Sequence, residues 1–398
     1  MTQHIVVVGA GIAGASCAWV LANRGYRVTV LDAASQPGSG GSGGSGNPIA
    51  IVYPKLVNAE LTPNHLQSLA YLHTLALLQQ PPFVEYFQQT GVLWLDQERS
   101  LQDVDASHPW WQKQVWRLNA EAASEQAGVI LERSALWFPD AGFIRTDGLL
   151  RTLLAHENIR AVFNARVCGA EALNSQWRIS STQGYFSADA LVLAYAGGSA
   201  ISLTDGLPLR PVRGQISQFP TAFPLRTTLC YGGYLTPSDD GYHCVGATFS
   251  PMDLQTDIRR QDHQFNANEL GKSVPSLAEN LPPLDDWQGR ASLRWQTPDF
   301  SPMAGRHDPS LLHALTAYPP RKHRPELATP DLPPLYVSIG HGAKGYTQAW
   351  IAAKIIANEI TNTPSPWPES IAKQLAPDRF IWRDWQRGRL WTPRRARS

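Results

Sequence analysis

The sequence predicts an α/β fold: a parallel-sheet domain, discontinuous along the chain, with an inserted α+β lobe of antiparallel sheet. Three observations predict it. An apolar run, Ile5 to Val8, enters Gly9-Ala10-Gly11-Ile12-Ala13-Gly14, and a second apolar run ends at Asp32. Two further apolar runs, Asp189 to Ala194 and Leu335 to Ile339, each end in small residues. Between them, Arg210 to Phe249 alternates apolar and polar residues with Gly and Pro punctuation, the pattern of antiparallel strands.

The elements follow in order. A strand over Ile5–Val8 meets a Gly-x-Gly-x-x-Gly turn, then a helix of small residues from Ile12 to about Arg24, a turn at Gly25-Tyr26, and a strand from Arg27 to Leu31. This is the Rossmann-like dinucleotide unit. Gly9 permits the tight turn, Gly11 admits a pyrophosphate to the backbone, and Gly14 lets helix and strand pack closely. The helix start at Ile12 and Ala13 offers free N–H groups and a positive dipole end, and Asp32 is placed to accept from a ribose. Residues 38–48, Gly-Ser-Gly-Gly-Ser-Gly-Gly-Ser-Gly-Asn-Pro, have linker composition. Their place inside a nucleotide-binding unit favours a loop lying against the cofactor, where side chains would clash.

Beyond it, Ile49 to Tyr53 reads as a short strand and Leu66 to Gln79 as a helix. Phe83 to Leu95 and Trp110 to Leu131 are rich in aromatics and read as a separate lobe. Gly142 to Leu150 reads as a turn into a helix reaching about His156. Val162 and Val167 mark a strand, and Trp177–Ile179 with Gly184–Phe186 a hairpin. Asp189 to Ala194 is a buried strand ending at Tyr195-Ala196-Gly197-Gly198, a second place where backbone can approach a ligand. Ile258 to Leu270 reads as a helix, Gly289 to Arg306 returns to the first domain, and Gly340 to Gly345 opens a last apolar helix. The expected division is 1–82, 142–208 and 289–375 for the nucleotide domain, 83–141 and 209–288 for the substrate domain, and 376–398 for a basic, aromatic tail.

Composition narrows the partners. The 398 residues are 43% hydrophobic with net charge +1, so no global field points to nucleic acid or a membrane. The charge is local: from Arg379 onward stand seven Arg (379, 383, 387, 389, 394, 395 and 397) against Asp384, a tail of +6 on a remainder of −5. The four Cys are scattered without Cys-x-x-Cys or His spacing, which gives no metal signal and fits a reducing compartment. Residues 5–22 carry no charge, but no basic residue precedes them and glycines interrupt them. They are therefore read as buried strand and helix rather than a targeting or spanning segment, and the expected location is cytoplasmic.

The first fingerprint alone does not separate NAD from FAD. The second glycine-rich helix start, Gly340 to Gly345, favours FAD: two helix N-termini suit the two anionic centres of one elongated cofactor. The bland alternative is a glycine turn capping a packing helix.

Residues 4–32, Asp189–Gly198, Arg213-Gly214-Gln215, Arg294–Gly305 and Gly340–Gly345 together resemble the D-amino-acid oxidase/glycine oxidase group of FAD enzymes. Within it, Gly43–Pro48 with Tyr53-Pro54, Gly233–Pro237, Gly246–Phe249, Thr297-Pro298-Asp299 and Ala376–Phe380 resemble the FAD module of the MnmC tRNA wobble-uridine modification family. The likeness covers nearly the whole chain. In the familiar bifunctional form this module follows a methyltransferase domain, so the chain is expected to carry the oxidoreductase half, with a separate methyltransferase as a possible partner.

The resemblance implies a glutathione-reductase/D-amino-acid oxidase type FAD domain with an inserted substrate domain, and non-covalent FAD, since no Cys stands in 340–345. It implies cofactor contacts at Ser45, Gly46, Asn47, Val167, Ala196, Gly197, Gly342, Ala343, Lys344 and Gly345, beside the first fingerprint. The implied chemistry oxidises the glycine-like methylene of 5-carboxymethylaminomethyl-uridine to an imine, which hydrolyses to 5-aminomethyl-uridine and glyoxylate; oxygen is the expected final acceptor. Arg294, five residues before Asp299, is the first candidate for the substrate carboxylate, because an Arg fork suits a bidentate carboxylate. A structural salt bridge is the alternative. Lys344 is the second cation, where many relatives carry Arg. Tyr234 and Tyr231 are pocket candidates or plain core, and His341 is a turn or flavin-edge residue rather than a general base. Arg213 and Gln215 are structural or pocket-lining, with Arg213 also counted among the substrate or tRNA contacts.

Arg379, Arg383, Arg387 and Arg389 alternate with Phe380, Trp382, Trp385 and Trp391. That composition suits phosphate contacts and stacking on unpaired anticodon bases of a tRNA; an amphipathic helix packed on the body is the equal alternative. Arg321-Lys322-His323-Arg324 is a second possible phosphate contact. Two other functions stay open: an oxidase of free glycine, sarcosine or D-amino acids, and a flavin-bearing tRNA-binding protein without turnover.

Overall fold

The structure, a computed structural model, describes residues 3–39, 43–57, 64–95, 114–197, 201–320, 323–327 and 331–389. The chain divides into two compact units: Met1–Gly46, Leu150–Pro211 and Arg294–Ser398 form the first, and Asn47–Leu149 with Val212–Leu293 the second.

The first unit is built on a six-stranded sheet. Across it run Met303–Arg306, Leu335–Ile339, Ala190–Leu193, His4–Val8, Arg27–Leu31 and Ile159–Val162. Only the Met303–Arg306 edge is antiparallel to its neighbour; the other pairs are parallel. The three apolar runs read as buried strands, Ile5–Val8, Leu335–Ile339 and the one that forms Ala190–Leu193, are enclosed, as strands covered on both faces must be. Val8 lies opposite Leu31 in register, so the turn after the first strand and the acid after the second come out at one edge. The first helix, Ile12–Ala22, packs on the long helix Gly345–Thr361, with Trp19 and Trp350 edge to face at 5.9 Å. Small residues along the first helix, Ala13, Gly14, Ala15 and Ala18, are buried there and allow the close approach. An antiparallel sheet of Val167–Leu173, Gln176–Ser181 and Gly184–Ala188 adds Trp177 and Ile179 to the core beneath Leu31 and Leu191.

The tail is part of this unit. Helix Arg379–Gln386 buries Phe380, Ile381, Trp382 and Trp385, and the Trp385 indole N–H donates to the Tyr318 carbonyl at 3.0 Å. Trp382 and Trp385 meet edge to face, so neither ring is open to stack on a base. Arg324 lies over the Trp382 ring at 4.6 Å; Arg321, Lys322 and Trp391 lie outside the described residues. Trp385→Ala is expected to cost ~3–5 kcal/mol, since it leaves a cavity and strands a carbonyl. Chemical denaturation of the purified protein checks this.

In the second unit, a large mixed sheet includes Val92–Trp94, Ala135–Phe138, Thr228–Cys230, Tyr242–Gly246 and most of Arg210–Pro220. Phe219, Leu229, Leu235, Val245 and Trp287 fill its core. A smaller sheet joins Ile49–Val52, Gly142–Arg145 and Phe87–Gln88. Two readings change here. Residues 47–82, 142–149 and 289–293, expected in the nucleotide domain, group with the second unit, where Ile49–Val52 pairs antiparallel with Gly142–Arg145. The stretch after Gly142 is a strand before the helix Thr146–Leu154, not a turn.

Candidate functional site

The site in the first unit starts at the first helix. Its cap, Gly11, has no side chain, and the Ile12 N–H donates instead to the Ser45 hydroxyl at 3.0 Å. Asp32 accepts from Ala10 N–H at 2.5 Å and Ala34 N–H at 2.7 Å, so its carboxylate is held against the glycine turn. A carboxylate carries about four acceptor positions, which leaves capacity for ribose hydroxyls. Gly9 and Gly14 explain each other: a Cβ on Gly14 would lie 1.8 Å from the Gly9 carbonyl oxygen. Gly9 itself has φ +113° and sits against Ala194, at the end of strand Ala190–Leu193.

The second glycine-rich start joins the first through Ser45. Gly342–Lys344 is a turn of 3-10 helix running into the long helix at Gly345. The Tyr346 hydroxyl donates to the Ser45 carbonyl at 2.6 Å, and a Cβ on Gly345 would stand 3.3 Å from the Ile12 side chain. Ser45 thus ties both helix starts together, and Gly46 closes the same short turn. Gly40 to Ser42 and Gly198 lie outside the described residues.

The strand end Arg294-Trp295-Gln296 completes the unit's site. Successive side chains on a strand point to opposite faces. Arg294 runs its stem beside Gly44, where a Cβ would be 3.8 Å away, while Trp295 covers Gly197, whose added Cβ would fall 2.3 Å from the indole. Gln296 bridges to His341. His341 Nε2 meets the Ser338 hydroxyl at 3.1 Å. Burial lowers its pKa to about 4, partly opposed by the Ser338 backbone, so the ring is neutral at pH 7 and cannot serve as an imidazolium acid there. Buried His341 Nδ1 and Trp295 Nε1 have no hydrogen-bond partner among the described residues. Two unfilled polar atoms beside two glycine-rich helix starts, with an acid held at the end of the second strand, are what a polar, elongated dinucleotide would satisfy. The residues present fit FAD.

The remaining predicted residues are placed as follows. Val167 begins its strand, buried with Leu31 and Ala165; Ala196 is exposed and Ala343 stands in the 3-10 turn beside Lys344. Asn47 belongs to the second unit, where its side chain accepts from Arg290 at 2.8 Å and its carbonyl from Thr146. Tyr234 is also there, packed with Ile49, Phe143, Ile216 and Cys244, and its carbonyl accepts from Tyr231.

Several expected RNA contacts change role. Arg213 is fully enclosed: it pairs with Asp262 at 2.6 Å and donates to Gln215 and to the Gln255 and Asp257 carbonyls. It braces residues 255–262 and presents nothing to a substrate. Arg379 is bound at both ends of Asp299, 3.0 Å each, and to the Ser301 carbonyl. Arg383 pairs with Asp384, whereas Arg387 and Arg389 are exposed. The sequence reading missed Tyr346 and Trp295; their signal was adjacency, since each directly follows a residue already singled out.

This fold and site define a flavin-dependent oxidoreductase. The sequence matches the DAO family, described as FAD dependent oxidoreductase, over residues 4–359, and the chain belongs to that family. It is 36% identical over 389 residues to the tRNA 5-methylaminomethyl-2-thiouridine biosynthesis bifunctional protein MnmC of Methylobacillus flagellatus, covering 95% of this chain and 59% of that protein. The protein of that name from Chromohalobacter salexigens is 34% identical, with 97% and 58% covered. The chain therefore spans about 60% of the length of these relatives. Glycine oxidase from Geobacillus kaustophilus shares the fold, with a TM-score of 0.73 at 20% identity over 94% of this chain and 99% of that one. Among the described residues, no helix is long and apolar enough to cross a membrane.

Proposed function

We propose that this chain oxidatively removes the carboxymethyl group from 5-carboxymethylaminomethyl-(2-thio)uridine at the wobble position of tRNA, in the cytoplasm. The observation that carries the reading is the placement of Arg294: a guanidinium stem beside Gly44, in the turn that ties together the two helix starts of the FAD site. The similarity to proteins named for 5-methylaminomethyl-2-thiouridine biosynthesis supplies the substrate class.

Non-covalent FAD supplies the two-electron acceptor. The protein's part is to bind and orient. Arg294, with Lys344 as a second cation, holds the carboxylate. The amine is oxidised at its methylene carbon, which gives up a hydride while the nitrogen gives up a proton. Water adds to the resulting imine, and the C–N bond breaks to give 5-aminomethyl-uridine and glyoxylate. Positioning does most of this work, because the cofactor carries the redox chemistry. A methyltransferase that takes the aminomethyl product is the expected partner.

Mass spectrometry of wobble nucleosides tests the reading. Purified protein incubated with tRNA bearing the carboxymethylaminomethyl group is expected to convert it to aminomethyl-uridine with release of glyoxylate. Rapid oxidation of free glycine or sarcosine with the tRNA unchanged would instead make the protein an amino-acid oxidase. Flavin that stays oxidised with every amine under anaerobic conditions would favour a binding protein.

A further inference from the structure

Phe300 is in the wrong place for a phenylalanine. It is 64% exposed and has φ +61°, a left-handed conformation that costs a residue with a Cβ and suits Gly or Asn. Among the described residues, the core of the first unit does not take up its ring. The loop around it is held firmly, however. Asp299 accepts from the Ser301 N–H at 3.1 Å and from both arms of Arg379, the Thr297 hydroxyl donates to the Ser301 carbonyl at 2.7 Å, and Gln374 donates to the Ser301 hydroxyl at 2.8 Å. Burial alone would raise the Asp299 pKa; Arg379, Ser301 and Thr297 outweigh it and lower it, so the carboxylate stays charged at neutral pH. An exposed ring, unfavourable in both backbone and solvation, is thus presented on a rigid support.

The charge beside it names the occupant. Arg379, which grips the loop, opens the helix Arg379–Gln386, and Arg383 follows one turn on; both guanidinium groups lie over the Phe380 ring, at 4.3 and 4.9 Å. Residues four apart share a helix face, so Arg379, Arg383 and Arg387 form a stripe that starts at the Phe300 loop. Arg379 is spent on Asp299 and Arg383 is partly neutralised by Asp384, while Arg387 and Arg389 are exposed. A flat apolar face at the head of a cationic stripe matches a single-stranded nucleic acid, whose base stacks and whose phosphates follow the charge.

We propose that Phe300 is a stacking platform for an unpaired nucleobase of the RNA substrate, with Arg387 and Arg389 as backbone contacts. This rests on the reading that the substrate is a tRNA. The test uses the flavin-loaded protein and measures its affinity for tRNA carrying the modification, the salt dependence of that affinity, and the melting temperature. Phe300→Gly and Phe300→Asn are expected to weaken tRNA binding on the order of tenfold. Their melting temperature should be equal or higher and the salt slope unchanged. Phe300→Trp should keep wild-type affinity. Arg387→Ala should instead flatten the salt slope by roughly 0.7, the value for one single-strand phosphate contact. If wild-type protein binds tRNA and both Phe300→Gly and Phe300→Asn bind equally well, the platform is wrong and the proposed function stands. If Phe300→Gly and Phe300→Asn melt markedly lower, the ring is structural and the inference also fails. Wild-type protein that binds no tRNA overturns both.

Discussion

Gly14→Ala is expected to yield a protein that purifies without flavin colour. A Cβ at this position would stand 1.8 Å from the Gly9 carbonyl oxygen and 3.3 Å from a Val7 methyl. Neither neighbour can yield. Gly9 is pinned by its N–H to the Leu31 carbonyl at 2.8 Å and by Ala194 behind it, and Val7 is fully buried in the central strand. The first helix must therefore back away from the sheet. That movement carries the Ile12 N–H from Ser45 and loosens the fit of Ala10 to Asp32, the contacts that shape the candidate nucleotide site. Overpacking of this kind costs on the order of 3 kcal/mol or more. The flavin absorbance of the purified protein and its melting temperature with added FAD read both effects. Gly25→Ala is the control: its Cβ would meet nothing within 4 Å, although φ is +84°. It should cost about 1 kcal/mol of backbone strain and remain yellow. A yellow, stable Gly14→Ala protein would remove the close-packing argument.

That prediction could be framed from the sequence because the first unit is written locally. The roles of Gly14 and Asp32 depend on neighbours within one strand-helix-strand unit, and the second strand falls at Arg27–Leu31 as its apolar run indicates. Contacts made at long range were not legible. Ile49–Val52 looked like part of the nucleotide unit, but its partner strand begins at Gly142, and nothing in four residues announces that pairing. Arg213 read as structural, pocket-lining or a tRNA contact, and the acid that settles it as structural, Asp262, stands 49 residues away. Arg379 likewise read as an RNA contact, while its carboxylate partner Asp299 lies 80 residues earlier. Spacing shows where a charge is, not whether a distant segment already neutralises it. The aromatic residues of the tail had two readings for the same reason: amphipathic character is visible in sequence, but the surface that takes up Trp382 and Trp385 is not.

Arg294→Ala is expected to lower kcat/KM for the carboxymethylaminomethyl substrate by roughly a hundred- to a thousandfold, which is ~3–4 kcal/mol of transition-state binding for a charged, hydrogen-bonded partner removed from a partly enclosed site. Flavin content and melting temperature should stay near wild type. The side chain is half-buried, and its stem runs past Gly44. The strand around it keeps its hold through Trp295 over Gly197 and through the Gln296–His341 bridge, neither of which depends on the Arg294 side chain. Arg294→Lys separates charge from geometry. Lysine restores a cation but not the planar fork that accepts both carboxylate oxygens, so it should recover only part of the loss. An arginine that only binds the ground state would raise KM and spare kcat; one that also orients the methylene carbon towards the cofactor would lower kcat as well. The second pattern is expected here, because the carboxylate is attached directly to the carbon that gives up the hydride. Loss of flavin from Arg294→Ala, or full recovery in Arg294→Lys, would move the carboxylate site elsewhere, with Lys344 the next residue to substitute.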